Sequence, residues 1–348
     1  MKAKNSNSQT LILCASAPLR DTNPYLKSAT PDFSIPQNYG TGNFSMLSGS
    51  DINSDRLLLL RKVMLPGNKN TVVITGASTG IGAACALLLD KLGYFVFAGV
   101  RKDEDAQKLQ QQASPNLRPI FLDVTDSESI KCAVETVTNV VGERGILGLV
   151  NNAGIAVPSP LELLPIAEFQ QQMEVNVTGQ LAVTQEFLNL LRQGKGRIVN
   201  MGSISGRSAA PFLGAYNASK FALEALTDVM RMEFRPWGIS VSIIEPGAIA
   251  TPIWEKSFMQ VDTARKNLPQ SAEKLYGEAM SAVRKRVGII ASEGISPDLV
   301  AQIVIQALTA KQPKTRYVVG TDAKIAVLLK YILPDKVYDR VMLYSMGL

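Results

Sequence analysis

The chain has 348 residues, with 46% hydrophobic and 19% charged content, which suits a packed globular core and excludes a wholly disordered chain. It contains no histidine, which excludes Ser-His-Asp and Cys-His triads and histidine-ligated zinc. The net charge of +6 lies at the two ends: residues 70–250 hold 14 basic and 17 acidic side chains, so the middle offers no basic face for a nucleic acid.

Residues 1–69 are rich in Ser, Asn, Thr, Pro and Gly and read as a disordered or loosely attached extension. The apolar run at 11–17 is at the short end for an export signal, and a polar stretch separates it from Lys2 and Lys4. Met64 stands just ahead of the first predicted strand, as an alternative start. No uninterrupted apolar run approaches the roughly 20 residues of a membrane-spanning helix. Cys14, Cys85 and Cys132 are far apart and form no CxxC pair, as in a reduced intracellular protein. Cys85 and Cys132 are expected in the core.

Thr71–Thr75 reads as a short buried strand. Gly76-Ala-Ser-Thr-Gly80-Ile-Gly82 follows, then a helix over Ala83–Leu92 and a strand over Tyr94–Val100. Strand, glycine-rich turn and helix together form a cradle for a pyrophosphate, with free N–H groups at the helix start. Leu117–Val124 is the next strand, and Thr125-Asp-Ser-Glu128 has the form of a capping box before a helix to about Val141. Ile146–Val150 is a strand leading into Asn151-Asn152-Ala153-Gly154. A long helix over about Glu168–Leu191 is interrupted at Asn176 and Gly179. Arg197–Met201 is a strand, followed by Gly202-Ser203. Strands at Ile239–Glu245, ending in Pro246-Gly247, and at Arg316–Gly320 complete the alternation. Such alternation predicts an α/β fold whose parallel sheet has helices on both faces.

The helix predicted over Ala215–Phe234 carries Tyr216 and Lys220 one turn apart, on one face. An ammonium beside the tyrosine oxygen lowers its ordinary pKa of about 10 and makes the pair a proton-transfer device. Phe221, Ala225, Val229 and Met232 form an apolar stripe expected to pack inward.

From about Thr71 to Gly320 the chain resembles the classical short-chain dehydrogenase/reductases. The matching motifs are Thr75-Gly-Ala-Ser-Thr-Gly-Ile-Gly82, Asp123-Val124, Asn151-Asn-Ala-Gly154, Asn176, Ser203, Tyr216-x-x-x-Lys220 and Pro246-Gly247 with Thr251. The resemblance implies a Rossmann-type doubly wound sheet of seven parallel strands and hydride transfer between a nicotinamide coenzyme and an alcohol/carbonyl pair. It implies Tyr216 as acid/base and Lys220 as its partner and a ligand of the nicotinamide ribose. Ser203 would hydrogen-bond the substrate oxygen, and Asn176 would hold a water in a proton relay. Gly76, Ser78, Thr79, Gly80, Ile81 and Gly82 would hold the coenzyme phosphates. Asp123 and Val124 would border the adenine, and Asn152, Ala153 and Gly154 the coenzyme ribose. Pro246, Gly247, Ile249 and Thr251 would lie at the nicotinamide. Val100 stands where NAD-type members carry an acid, and Arg101 and Lys102 follow, which favours NADP over NAD. No metal site is expected.

Residues 252–290 match the family's substrate lid, with Trp254, Phe258, Met259, Leu275, Tyr276 and Met280 as apolar or aromatic residues suited to a steroid-, retinoid- or long-chain-like substrate. The tail, 321–348, is similar to that of hydroxysteroid- and retinol-dehydrogenase-like members. Its Lys324 and Lys330 flank an apolar run that would cover the entrance or rest on a membrane. A cytoplasmic enzyme, with or without membrane association, is expected, and the resemblance implies a homodimer or homotetramer. The alternatives are a dinucleotide-binding sensor or scaffold, and an isomerase or epimerase of related fold.

Overall fold

The computed structural model describes residues 70–254, 257 and 270–348, the side chains of 290 and 291 excepted. The extension at 1–69 and lid residues Phe258 and Met259 lie outside the described residues. Seven short strands form the sheet: β1 (Thr71–Ile74), β2 (Phe95–Val100), β3 (Leu117–Phe121), β4 (Gly148–Asn151), β5 (Arg197–Met201), β6 (Ser240–Pro246) and β7 (Arg316–Val319). All pair in parallel in the order β3-β2-β1-β4-β5-β6-β7. This is the expected doubly wound, seven-stranded Rossmann-type sheet. The strand order reverses between β1 and β4, and such sheets open a crevice at that point, at the carboxyl ends of the strands.

The period of two along β1 divides the core. Val72 and Ile74 face a layer containing Cys85 and Leu89 of α1 (Gly80–Lys91), Leu109 of α2 (Asp103–Gln110) and, from further along the chain, Val300 and Val304. Val73 faces the opposite layer, with Ile130 and Val137 of α3 (Ser127–Val141) and Met230. The long predicted helix is in two pieces. α4 (Ile166–Met173) and α5 (Gly179–Gly194) are joined by a π turn over Glu174–Thr178 that contains Asn176. α6 (Gly214–Glu233) carries Tyr216 and Lys220, and Met230 near its end. α7 (Gln270–Ser292), α8 (Pro297–Thr309), which carries Val300 and Val304, α9 (Thr321–Ile332) and α10 (Asp335–Met346) complete the chain.

Three local expectations are corrected. The cap of α3 is Asp126, whose carboxylate accepts from Glu128 N, rather than Thr125. Thr125 instead donates to Asp123. Cys132 is exposed, while Cys85 is buried. The apolar stripe of α6 points outward: Phe221, Ala225, Val229 and Met232 are exposed. The inward face carries Tyr216, Ser219, Lys220, Leu223, Glu224 and Thr227. Its polar groups are buried with partners, so the face tolerates them.

Candidate active site

The crevice between β1 and β4 is a cleft of about 270 Å³ whose lining joins the glycine turn to Ser203, Tyr216 and Lys220. The turn leaves β1 with Gly76 at φ +63° and reaches α1 through Gly80 at φ +58°, a region open to glycine at little cost. A Cβ on Gly76 would stand 2.8 Å from Ala153 Cα, and one on Gly82 would run into Gly76 O and the Asn152 amide. These close approaches seat α1 against the turn after β4. The start of α1, with Ser78, Thr79, Gly80 and Ile81, faces the cleft. Unpaired N–H groups and the helix dipole there suit an anion. Asn152 donates from its amide to Thr75 O and Gly76 O, and Thr75 Oγ1 accepts from Asn152 N and Ala153 N.

Val100, Arg101, Leu122, Asp123 and Val124 form the far end of the cleft. Arg101 Nη1 lies 3.6 Å from Asp123 Oδ2. Burial works to raise the Asp123 pKa, but hydrogen bonds from Thr125 and the Arg101 charge hold it below the ordinary value. Lys102 precedes the start of α2 without a side-chain capping bond and is not part of the lining.

At the other end Ser203, Tyr216 and Lys220 are buried together. Ser203 Oγ accepts from Ser205 N at 3.1 Å and lines the cleft together with Tyr216. Burial raises the Tyr216 pKa, and the Ser203 hydroxyl opposes that rise. Lys220 Nζ donates to Met201 O at 2.7 Å and lies 5.6 Å from the centre of the tyrosine ring. Burial pushes Lys220 down to about 8, against the pull of Glu224. The expected lowering of Tyr216 by Lys220 is therefore not what dominates here; burial is. Asn176, fully buried, does not line the cleft. Both of its N–H donors are used, on Ile155 O and Ser219 Oγ, and its oxygen accepts from Ile155 N. One lone pair of that oxygen remains for a water.

Gly154, Pro246, Gly247, Ile249 and Thr251 line the cleft, and a Cβ on Gly80 would stand 3.2 Å from Thr251 Cγ2. Trp254 closes it edge-on to Tyr216, with ring centres 6.0 Å apart. Leu275 is exposed and lines nothing. Sequence reasoning missed Gly99, Ile155, Val175, Met201 and Pro252 in the lining. Gly99 and Met201 lie in strands and Val175 in the π turn, and such residues carry no signal of their own; position beside a motif is the clue that could have found Ile155, Val175, Met201 and Pro252.

The cleft thus has the glycine turn at one end and the buried Ser203, Tyr216 and Lys220 at the other. A short chain dehydrogenase family model matches residues 70–262. The chain belongs to the short-chain dehydrogenases. The chain is 38% identical to mouse retinol dehydrogenase 5 over 293 residues, 82% of this chain and 91% of that protein. It is 37% identical to the NADPH-dependent 3-dehydrocapnine reductase of Ornithobacterium rhinotracheale, over 77% of this chain and 94% of that one. Human 17-beta-hydroxysteroid dehydrogenase type 2 is 35% identical over 79% of this chain and 73% of its own. Among solved structures, a short chain dehydrogenase from Burkholderia cenocepacia in complex with NADP matches at TM-score 0.60 and 25% identity, over 78% of this chain and 97% of that one.

Proposed function

We propose that this short-chain dehydrogenase interconverts an apolar alcohol with its ketone or aldehyde, using NADP, with Tyr216 as the acid/base. The observation that carries the reading is the burial of Ser203, Tyr216 and Lys220 on one wall of the cleft that also holds the glycine turn. A nicotinamide coenzyme bound along that cleft supplies or accepts the hydride. The donors present fit such a group: open N–H groups at the start of α1 for its phosphates and Lys220 for its ribose hydroxyls.

In carbonyl reduction Ser203 and Tyr216 hydrogen-bond the oxygen that gains charge, and Tyr216 delivers the proton. A tyrosine whose pKa burial raises stays protonated at neutral pH, which suits the acid role. In alcohol oxidation the phenol first passes its own proton to solvent through the relay, and the phenolate oxygen then receives the alcohol's proton. Asn176 fixes the Ile155 loop to α6 through Ser219 and keeps one lone pair for a relay water.

Apolar substrates are supported by the walls beside Tyr216, where Ala156, Leu213, Ala210, Ile253 and Trp254 cluster. The relatives' names, retinol and 17-beta-hydroxysteroid dehydrogenases, point the same way. The exposed stripe of α6 supports a homodimer or homotetramer. Among the described residues no helix is long and apolar enough to cross a membrane. The exposed Ile325, Leu328, Tyr331 and Ile332 of α9 support contact with a membrane surface for an otherwise cytoplasmic enzyme.

The test is Tyr216→Phe. It should lower turnover of retinaldehyde or a 17-ketosteroid with NADPH by at least about a hundredfold while coenzyme still binds. Near-normal turnover in a folded variant overturns the mechanism.

A further inference from the structure

The C-terminal pair of helices reaches both sides of the cleft. On the coenzyme side, Asp322 at the start of α9 accepts a hydrogen bond from Ala248 N at 2.8 Å. Gly247 leaves room for that carboxylate; a Cβ there would lie 2.6 Å from Asp322 Oδ1. On the opposite side, Tyr338 of α10 hydrogen-bonds Ser208 hydroxyl to hydroxyl. Tyr338 and Ser208 are 4% and 5% exposed, so water has little access to either. Met346, at the end of α10, is buried with Val283 and Val287 of α7, and Phe212 and Trp254 pack on that cluster.

Ser208 ends the short loop that begins at Ser203. The part before Ser208 has fixings of its own. Ser203 caps a 3-10 turn over Ile204–Gly206 by accepting from Ser205 N, and Arg207 Nη1 lies 3.3 Å from Glu245 at the end of β6. After 207 the chain is held by its carbonyls, Ala210 O accepting from Asn217 Nδ2 and Phe212 O from Ser159 N, while the Ser208 side chain is held by Tyr338. Phe212 sits at φ +64°, a left-handed conformation that a bulky side chain rarely adopts and that surrounding contacts must maintain. Its ring meets Tyr276 edge-on at 6.4 Å.

Resting on the catalytic reading of Ser203 and Tyr216, we propose that Tyr338 is a positioning residue: through its bond to Ser208, α10 fixes the 203–212 loop and completes the substrate wall beside Trp254. The phenol touches neither the cleft nor the reacting atoms. It acts through Ser208. Two hydroxyls buried against each other supply one another's hydrogen bond, and removing one strands the other. The tail is then part of the active site, and its remaining exposed face is free for other contacts.

The test uses Tyr338→Phe, Ser208→Ala and the double variant in the full chain. Amide exchange across residues 203–212 should quicken about tenfold in each single variant, about 1.4 kcal/mol. The double variant should add little, because both singles remove one bond. Strands β4 and β5 should keep their protection. With retinaldehyde or a 17-ketosteroid and NADPH as probes, kcat should fall about tenfold while coenzyme Kd is unchanged. Unchanged exchange at 203–212, or a loss of protection spread equally over the sheet, overturns the proposal. So does a kcat retained in Tyr338→Phe while Tyr216→Phe abolishes turnover. If Tyr216→Phe itself turns over normally, the catalytic reading fails separately, and loop exchange alone decides the role of Tyr338.

Discussion

Arg316 Nε lies 3.0 Å from Glu224 Oε2, one helical turn beyond Lys220 on the buried face of α6. The same nitrogen is 3.3 Å from Glu245 Oε1, and Arg316 Nη2 is 2.7 Å from Asp228. One guanidinium thus serves three carboxylates, while Arg207 reaches Glu245 from the Ser203 loop. Among the described residues Glu224 Oε1 finds no hydrogen-bond partner. Burial, and the neighbouring Glu245, push the Glu224 pKa up to about 7, against the pull of Arg316 and Arg207.

Glu224 should make the fold less stable as pH rises. A carboxyl whose folded pKa exceeds its unfolded value favours folding fully below the unfolded value and loses that contribution as pH rises through the folded one. For Glu224 the window runs from 4.5 to about 7. Unfolding free energy, and with it Tm, should therefore fall across that window more in the wild type than in Glu224→Gln, by a difference on the order of 1–3 kcal/mol in free energy. Comparing the two proteins removes the opposite trends of Asp123 and Asp228, whose pKa values are lowered. Parallel curves from pH 4 to 8 would refute the assignment.

Lys220 gives a second pH signature, in coenzyme binding. With its pKa pushed down to about 8, the ammonium loses its proton in a range that solution titration reaches easily. An anionic coenzyme should bind more weakly above about pH 8. Glu224→Gln removes a charge that holds the lysine up, so the weakening should begin at lower pH. Fluorescence titration of NADPH from pH 6 to 9.5 checks both; an onset unmoved in Glu224→Gln would show that the two groups do not communicate.

Gly206 should tolerate no side chain. A Cβ there would stand 2.9 Å from Lys220 O and 3.1 Å from Glu224 Cγ, so the Ser203 loop seats directly on α6. Gly206→Ala must push the loop off the helix that carries Tyr216. Overpacking of this kind costs about 1–3 kcal/mol. The expected result is a lowered Tm together with a fall in kcat; a variant with wild-type values of both would mean that the loop shifts freely.

The sequence made the cradle and the catalytic set legible because each depends on local spacing. Gly76 and Gly80 sit at turns only glycine fills easily, and Tyr216 and Lys220 are one turn apart. It misread the face of α6, and the reason is physical. Period 3.6 shows that Phe221, Val229 and Met232 share a side, not whether that side meets the core. The opposite side is buried because Lys220 and Glu224 find partners on β5 and β7, far away in sequence. Likewise, Tyr338 meets Ser208 across 130 residues, which no local pattern encodes.

That outward stripe yields an oligomer prediction. Phe221, Val229 and Met232 are 45%, 43% and 58% exposed on one helix face. A contiguous apolar face of this kind marks an interaction surface. Replacing Phe221 and Met232 together by Glu should shift the protein toward monomer in sedimentation velocity without lowering its content of secondary structure. A wild type that sediments as a monomer would show that this face does not join copies of the chain.

Coenzyme choice should rest on Arg101. β2 ends in Val100, so no carboxylate stands at that position to repel a 2′-phosphate, and Val100 and Arg101 line the far end of the cleft. The Arg101 side chain is 64% exposed and pairs with Asp123 at 3.6 Å, a separation longer than a charge-assisted hydrogen bond. Asp123 also accepts two hydrogen bonds from Thr125, so it stays satisfied if Arg101 turns to a phosphate. Turning therefore costs little, since an exposed ion pair contributes about 0–1 kcal/mol. A bidentate bond to the 2′-phosphate is worth about 1.5–3 kcal/mol. The difference, about 0.5–3 kcal/mol, predicts NADPH over NADH by roughly two- to a hundredfold in Kd, at about 1.4 kcal/mol per factor of ten. Salt should narrow it, because the site is near the surface. Titrating both coenzymes into wild type and Arg101→Ala at low and high salt is the measurement. Equal affinities in the wild type, or a preference that survives Arg101→Ala, would assign the discrimination elsewhere.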